Sequence, residues 1–168
     1  NSTSLTPEPY IVTCHEDRLP GYCCLNRPFD DQTQEHIRLE AEAVLLILAR
    51  CEARQWEWLG SAVLDYEIAQ TPDPKRRQRV HLLAHHAHRY VGIEATVTSR
   101  AVELERLGLD AFDALHIAAA EAGRADVFLT TDYALLRRAA RLAPALAVPV
   151  ANPLTWLREL WDEWQPEQ

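Results

Sequence analysis

The chain contains no methionine, although a typical usage of about 2% would put roughly three or four in a chain of 168 residues. It also lacks any run of about 18 apolar residues. Its longest apolar stretch, Ala41 to Ala49, is interrupted by Glu42, so no transmembrane span and no membrane partner are expected. No charged-then-apolar leader with a small-residue cleavage site is visible, which argues against a secretion signal and for a cytoplasmic protein. The four cysteines, Cys14, Cys23, Cys24 and Cys51, match no zinc spacing and read as reduced, partly buried thiols. An excess of basic charge is missing as well. The net charge is −8, which excludes a purely electrostatic nucleic-acid binder. An acidic protein acting on nucleic acid must bring metal ions and a local basic patch.

What remains is a composition of 48% hydrophobic and 25% charged residues, the norm for one globular domain. Residues 1–22 are polar and punctuated by Pro7, Pro9, Pro20 and Gly21, with Tyr10 to Cys14 as a possible short strand. The periodicity of Ile37, Ala41, Val44, Leu45, Leu48 and Ala49 predicts a helix from Asp31 to about Glu52, capped by Asp30 or Asp31. Trp56–Ser61 reads as a buried strand, followed by helices over 62–70, 75–90, 98–107 and 111–122, with Gly108 and Gly123 as stops. Val127–Thr130 reads as a strand, 132–142 as a helix, Leu146–Val150 as a strand and Pro153–Trp164 as a last helix. Helices alternating with short, uniformly apolar strands predict an α/β fold with a central parallel sheet. Functional groups then belong at the carboxyl ends of the strands.

Acids occupy those ends. Glu67 lies early in the helix after the Trp56–Ser61 strand, and Asp132 directly follows Val127–Thr130. Asp113 sits in the first turn of the helix in GLDAFDALHIAAA, where Phe112, Leu115, Ala119 and Ala122 read as a buried stripe. Each acid has a structural reading: Asp132 as an N-cap, Asp110 with Asp113 as a capping pair, Glu67 as a solvated helix residue. Taken together, clustered carboxylates repel and call for a cation, and hard oxygen ligands select Mg²⁺ or Mn²⁺.

The segments CCLNRPFDDQTQEHIRLEAEAVLLIL, SAVLDYEIAQTPDP and GLDAFDALHIAAAEAGRADVFLTTDYALLRRA, in that order, resemble the PIN domain family, which includes VapC-type toxins of toxin–antitoxin pairs. The resemblance covers residues 19–158, with a domain expected at 23–158 and a helix end and tail at 159–168. It implies a three-layer α/β/α fold and a metal-dependent ribonuclease using Mg²⁺ or Mn²⁺, with RNA as substrate. An antitoxin protein and a second copy of the chain are the further partners it implies. By this resemblance Glu67, Asp113 and Asp132 match the second, third and fourth acids, as catalytic and metal-holding residues. Thr130, a small hydroxyl residue, and Asp110 would support the site.

The first acid of that pattern, in a Leu-Asp-Thr context, falls here on Pro20, Gly21 and Tyr22, none of which supplies a carboxylate. His15 to Tyr22 can be encoded so that a one-base shift reads Met-Lys-Ile-Val-Tyr-Leu-Asp. Residues 1–22 are therefore expected to be an irregular or misframed segment, and the site as written to be impaired. Arg27, Lys75, Arg76 and Arg77 are the candidate phosphate contacts, with a solvated basic helix start as the plainer reading. His81 and His85, one turn apart, lack a third ligand, and His116 reads as a packing residue. Trp156, Leu157, Leu160, Trp161 and Trp164 form an apolar stripe that docks on the core or on a second copy. The rival readings are a PIN-like module that binds RNA or protein without cutting, a damaged translation product, and an aspartyl-phosphate phosphatase. The last needs an Asp just after the first strand, which the chain does not offer.

Overall fold

The computed structural model of the chain describes Tyr10–Thr13 and residues 24–163. The expectations placed on Cys14, on segment 15–22 with Pro20, Gly21 and Tyr22, on Cys23 and on Trp164 lie outside the described residues.

Five strands form one sheet: β1 (Tyr10–Thr13), β2 (Glu57–Ser61), β3 (Arg89–Val91), β4 (Val127–Leu129) and β5 (Val150–Ala151). Their order is β3-β2-β1-β4-β5, and every pairing is parallel. In register, Ile11 faces Trp58 on one side and Val127 on the other. The strand order thus reverses at β1, and the crevice beyond the carboxyl ends of β2, β1 and β4 is where open α/β sheets place their chemistry. The expected α/β fold with a parallel sheet is the one that forms.

Seven helices are described: α1 (Glu35–Glu52), α2 (Ala62–Ala69), α3 (Pro74–Ala84), α4 (Ala95–Arg106), α5 (Ala111–Ala122), α6 (Tyr133–Leu142) and α7 (Pro153–Glu163). None is long and apolar enough to cross a membrane. In α1 the residues Ile37, Ala41, Val44, Ile47 and Cys51 are buried at helical spacing, and α1 packs with α7. The α4–α5 pair packs most extensively, and α5 also touches β2 and β4. Trp58, Leu59, Phe128, Leu129, Ile117, Leu104 and Ile47 fill the core. Cys24 and Cys51 are buried thiols, and burial pushes the Cys51 thiol up to about 11.

Three local expectations need correction. Helix α1 starts at Glu35, after a 3₁₀ turn over Cys24–Phe29, because Asp31 caps a tight turn instead: its Oδ1 accepts from Thr33 N at 3.0 Å and Thr33 Oγ1 at 2.8 Å. The helix expected over 75–90 ends at Ala84, and Arg89–Val91 becomes β3. That strand extends the sheet beside β2 with two of its three residues exposed, so it carries no apolar signature. The last strand is Val150–Ala151 rather than Leu146–Val150. A 3₁₀ turn over Ala143–Ala145 delays it, and Pro149, which has no N–H, contributes only its carbonyl to Phe128 N.

Gly123 closes α5 as expected, as its C-cap residue, but not in a left-handed conformation. Its φ is −76°, and Arg124 at φ 54° takes the left-handed position, with Ala125 N returning to Ala120 O. Gly123 serves close packing instead: a Cβ there would collide with Leu59 Cδ2 and come within 2.9 Å of Val91 Cγ2.

Candidate active site

The strand-to-helix turn after β4 fixes Asp132. Thr130 is fully buried, and its Oγ1 accepts from Asp132 N at 3.0 Å. Asp132 then caps α6, its Oδ1 accepting from Ala134 N at 2.7 Å and Leu135 N at 3.0 Å. Both cap bonds fall on one oxygen. Asp132 is only 8% exposed.

Glu67 comes from α2, whose entry from β2 is held by Ser61 Oγ accepting from Leu64 N at 3.2 Å. Its Oε2 lies 3.1 Å from Nε2 of His116 on α5. His116 is one turn beyond Asp113, so the two share a face of α5. The packing role expected of His116 is real, since it is buried and its ring lies 6.1 Å from that of Phe128. Its Nε2 also stands beside the Glu67 carboxylate.

Asp113 is 2% exposed, and its Oδ2 lies 3.3 Å from Nη1 of Arg138 on α6. The same Nη1 meets Asp110 Oδ2 at 2.6 Å. Asp110 occupies the N-cap position of α5 but makes no side-chain cap bond, so the expected Asp110–Asp113 capping pair is replaced by a shared ion pair. The hydrogen bond to Asp110 holds the Arg138 guanidinium more firmly protonated than usual; burial opposes it, and the charges of Asp110, Asp113 and Asp132 add to it. Arg138 thus ties the third and fourth acids into one electrostatic cluster. Its role is missed in the sequence, where it reads as one of several arginines in YALLRRAAR. The signal is positional: Leu135 and Ala139 are the buried face of α6, and Arg138 stands beside that face at the edge nearest α5.

Carboxylate oxygens are the correct donors for a hard divalent ion. Among the described residues, however, no group of three or more His, Cys, Asp and Glu side chains is arranged to hold a metal ion. The positive charge among Asp110, Asp113 and Asp132 is that of Arg138. The donor set fits in kind, and it is not closed as it stands.

The basic candidates divide. Arg27 is buried, with Nε 2.7 Å from Glu40 Oε2 and Nη1 3.1 Å from Asp30 Oδ2. Arg76 donates to Phe29 O at 2.6 Å and pairs with Asp30 at 3.0 Å, and Arg77 donates to Thr71 O at 3.0 Å. These three guanidiniums make contacts within the fold around the 3₁₀ turn and the start of α3. Lys75 is exposed. Burial pushes the Asp30 carboxyl up, against the pull of Arg76 and Arg27. Glu40, itself buried, gathers a second network by accepting from Tyr133 Oη at 2.5 Å and Asn152 Nδ2 at 2.8 Å. His81 and His85 lie with ring centroids 5.2 Å apart and planes tilted by 56°, and belong to no metal group among the described residues.

The stripe expected on α5 is also revised. Phe112 and Ala122 are exposed, while Asp113, Ala114, His116, Ile117 and Ala119 face inward. Phe112 stacks instead on Tyr66, one residue before Glu67. On α7, Trp156 and Leu157 pack on the core and Trp161 is exposed.

A family model described as PIN domain matches residues 29–142. No curated protein matches the chain.

Proposed function

The chain belongs to the PIN domain family, whose nucleases act on RNA, and from that premise we propose that it is a ribonuclease dependent on Mg²⁺ or Mn²⁺. The reading is supported by Glu67 on α2 and Asp113 on α5, with His116 of α5 3.1 Å from Glu67, and by Asp132 at the start of α6, the helix whose Arg138 pairs with Asp113. Two of these acids are almost fully buried, where an uncompensated charge is costly.

Glu67, Asp113 and Asp132 would hold the ion. When bound, it supplies an activated water and positive charge beside the scissile phosphate. The remaining work belongs to the chain's own residues. His116 fixes the direction of the Glu67 carboxylate, and Thr130 fixes the turn that presents Asp132. Arg138 is held by Asp110 and Asp113 together, and an ion bound at Asp113 would take the place of the guanidinium there. Activity is set below that of a complete site, because Pro20, Gly21 and Tyr22 offer no first carboxylate. The role of a toxin in a toxin–antitoxin pair, with an antitoxin and a second copy as partners, rests on the resemblance to VapC-type proteins.

A second reading is supported by Arg138. Its ion pairs balance the acid cluster without an ion, as suits a PIN-like module that binds RNA or protein without cutting. Cleavage of a mixed RNA pool in Mg²⁺ or Mn²⁺ separates the two. The chain is compared with Asp113→Asn and with a form carrying Met-Lys-Ile-Val-Tyr-Leu-Asp-Thr in place of residues 1–22. Cleavage that Asp113→Asn abolishes supports the nuclease, and gain of cleavage in the replaced form assigns the impairment to the first acid. Folded protein with no cleavage in any form supports the binding module.

A further inference from the structure

We propose that Tyr66 and Phe112 form a stacking platform for an unpaired base of the RNA, beside the acid cluster. The inference rests on the reading of the chain as a protein that acts on RNA, and it names the form of RNA accepted.

Tyr66 is 54% exposed and Phe112 is 43% exposed, yet the two rings lie on different helices, α2 and α5. They stack with centroids 5.9 Å apart and planes inclined by 16°. At that separation and inclination the rings are offset, so each leaves part of a face open. Each aromatic is the immediate chain neighbour of a site acid: Tyr66 precedes Glu67 and Phe112 precedes Asp113. Consecutive Cα atoms are about 3.8 Å apart, so the platform is built into the same two turns that present the acids.

Charge selects the occupant. With a net charge of −8, and with Arg27, Arg76 and Arg77 held in internal contacts, the chain carries an overall charge that opposes the approach of phosphates. Base–aromatic stacking supplies affinity that does not depend on positive charge, and it accepts any base because every base has a π-face. A base within a duplex is already stacked, so the platform selects single strands and loops. A second protein chain fits less well. The exposed parts of two rings amount to roughly 200 Å², against about 800 Å² per partner in a standard interface.

The test is fluorescence anisotropy of labelled single-stranded RNA and of the matching duplex, titrated in EDTA with the full chain. The variants are Tyr66→Ala, Phe112→Ala and Tyr66→Phe. The single strand should bind more tightly than the duplex. Each alanine variant should weaken single-strand binding by roughly 5- to 140-fold, and Tyr66→Phe should retain it. The proposal is overturned if the alanine variants bind like the parent, if the duplex binds as tightly, or if the parent binds no RNA. It is equally overturned if the alanine variants change only the sedimentation of the chain, which would mark a self-association surface. Because EDTA removes cleavage, the two readings fail separately. Ring-dependent binding without cleavage in Mg²⁺ would sink the nuclease alone, and cleavage indifferent to both rings would sink the platform alone.

Discussion

Replacing Arg138 with glutamine removes a guanidinium from between Asp110 and Asp113 while keeping a polar side chain of similar reach. The two ion pairs differ in worth. Asp110 is 61% exposed, and a surface ion pair of that kind contributes about 0–1 kcal/mol. Asp113 is 2% exposed, so its carboxylate would lose its counter-charge in a place water hardly reaches. Breaking a fully buried pair costs about 3–5 kcal/mol. Here Arg138 is 29% exposed and the pair is 3.3 Å apart, so solvent already screens part of it and about 2 kcal/mol is expected. For a chain of this size that corresponds to a melting temperature lower by roughly 4–8 °C in EDTA. Adding Mn²⁺ should then raise the variant's melting temperature more than the parent's, because in the parent the ion must first displace Arg138. Thermal unfolding of both proteins with EDTA and with Mn²⁺ reads the two effects. Equal melting temperatures in EDTA, or equal gains from Mn²⁺, would refute the role assigned to Arg138.

Three further outcomes follow from the same side chains and their neighbours. His116→Ala should cost about 2–4 kcal/mol of stability in urea unfolding, because it opens a cavity and leaves Glu67 without the imidazole beside it, and should weaken Mn²⁺ binding; His116→Gln should recover part of both, and an alanine variant as stable as the parent would contradict the pairing with Glu67. Gly123→Ala should cost about 1–3 kcal/mol despite its helical φ, because its methyl group meets Leu59 and Val91; a stabilised variant would show that the two side chains yield freely. Burial, reinforced by the bond to Glu40, pushes the Tyr133 hydroxyl up to about 12 from an ordinary 10. The folded pKa is raised, so this contribution to stability is complete below about pH 10 and is lost as pH climbs toward 12. Phenolate absorbance should show a late-titrating tyrosine that disappears in Tyr133→Phe, and an unchanged titration curve would be evidence against the bond to Glu40.

How much of this is legible in the sequence depends on how local each signal is. The α/β architecture is readable because the cores of β2 and β4 and the stripe of α1 are dictated by runs and periods within a few residues. Glu67, Asp113 and Asp132 are readable because a strand end followed by a helix start is a short pattern, and because the resemblance to PIN domains fixes their order. β3 is not readable, since it joins the sheet edge with exposed side chains and so leaves no apolar trace. The internal partners of the arginines are illegible for a different reason. A basic cluster in the sequence says nothing about which acid it will meet, and Arg27 meets Glu40, 13 residues away, while Arg76 meets Asp30 from another element. Phe112 misleads because it falls within the period of the α5 stripe, and only the approach of Tyr66 from α2 shows that it faces outward.

Arg138 and the aromatic pair share a physical origin. An acid cluster at the end of a sheet repels itself and repels RNA, so a protein that keeps it must add a counter-charge and an attraction that ignores charge. Arg138 supplies the first on α6, which Asp132 caps. Tyr66 and Phe112 supply the second on the helices that carry Glu67 and Asp113. If both assignments hold, weakening the cluster and weakening the platform should act on different quantities. Arg138→Gln should change the dependence on Mn²⁺ and leave single-strand binding in EDTA lower by no more than the loss of one positive charge. Phe112→Ala should change RNA binding and leave the Mn²⁺-dependent rise in melting temperature intact. A variant of either kind that moved both quantities together would mean that the acids and the rings form one inseparable unit, and that the division of labour drawn between them is wrong.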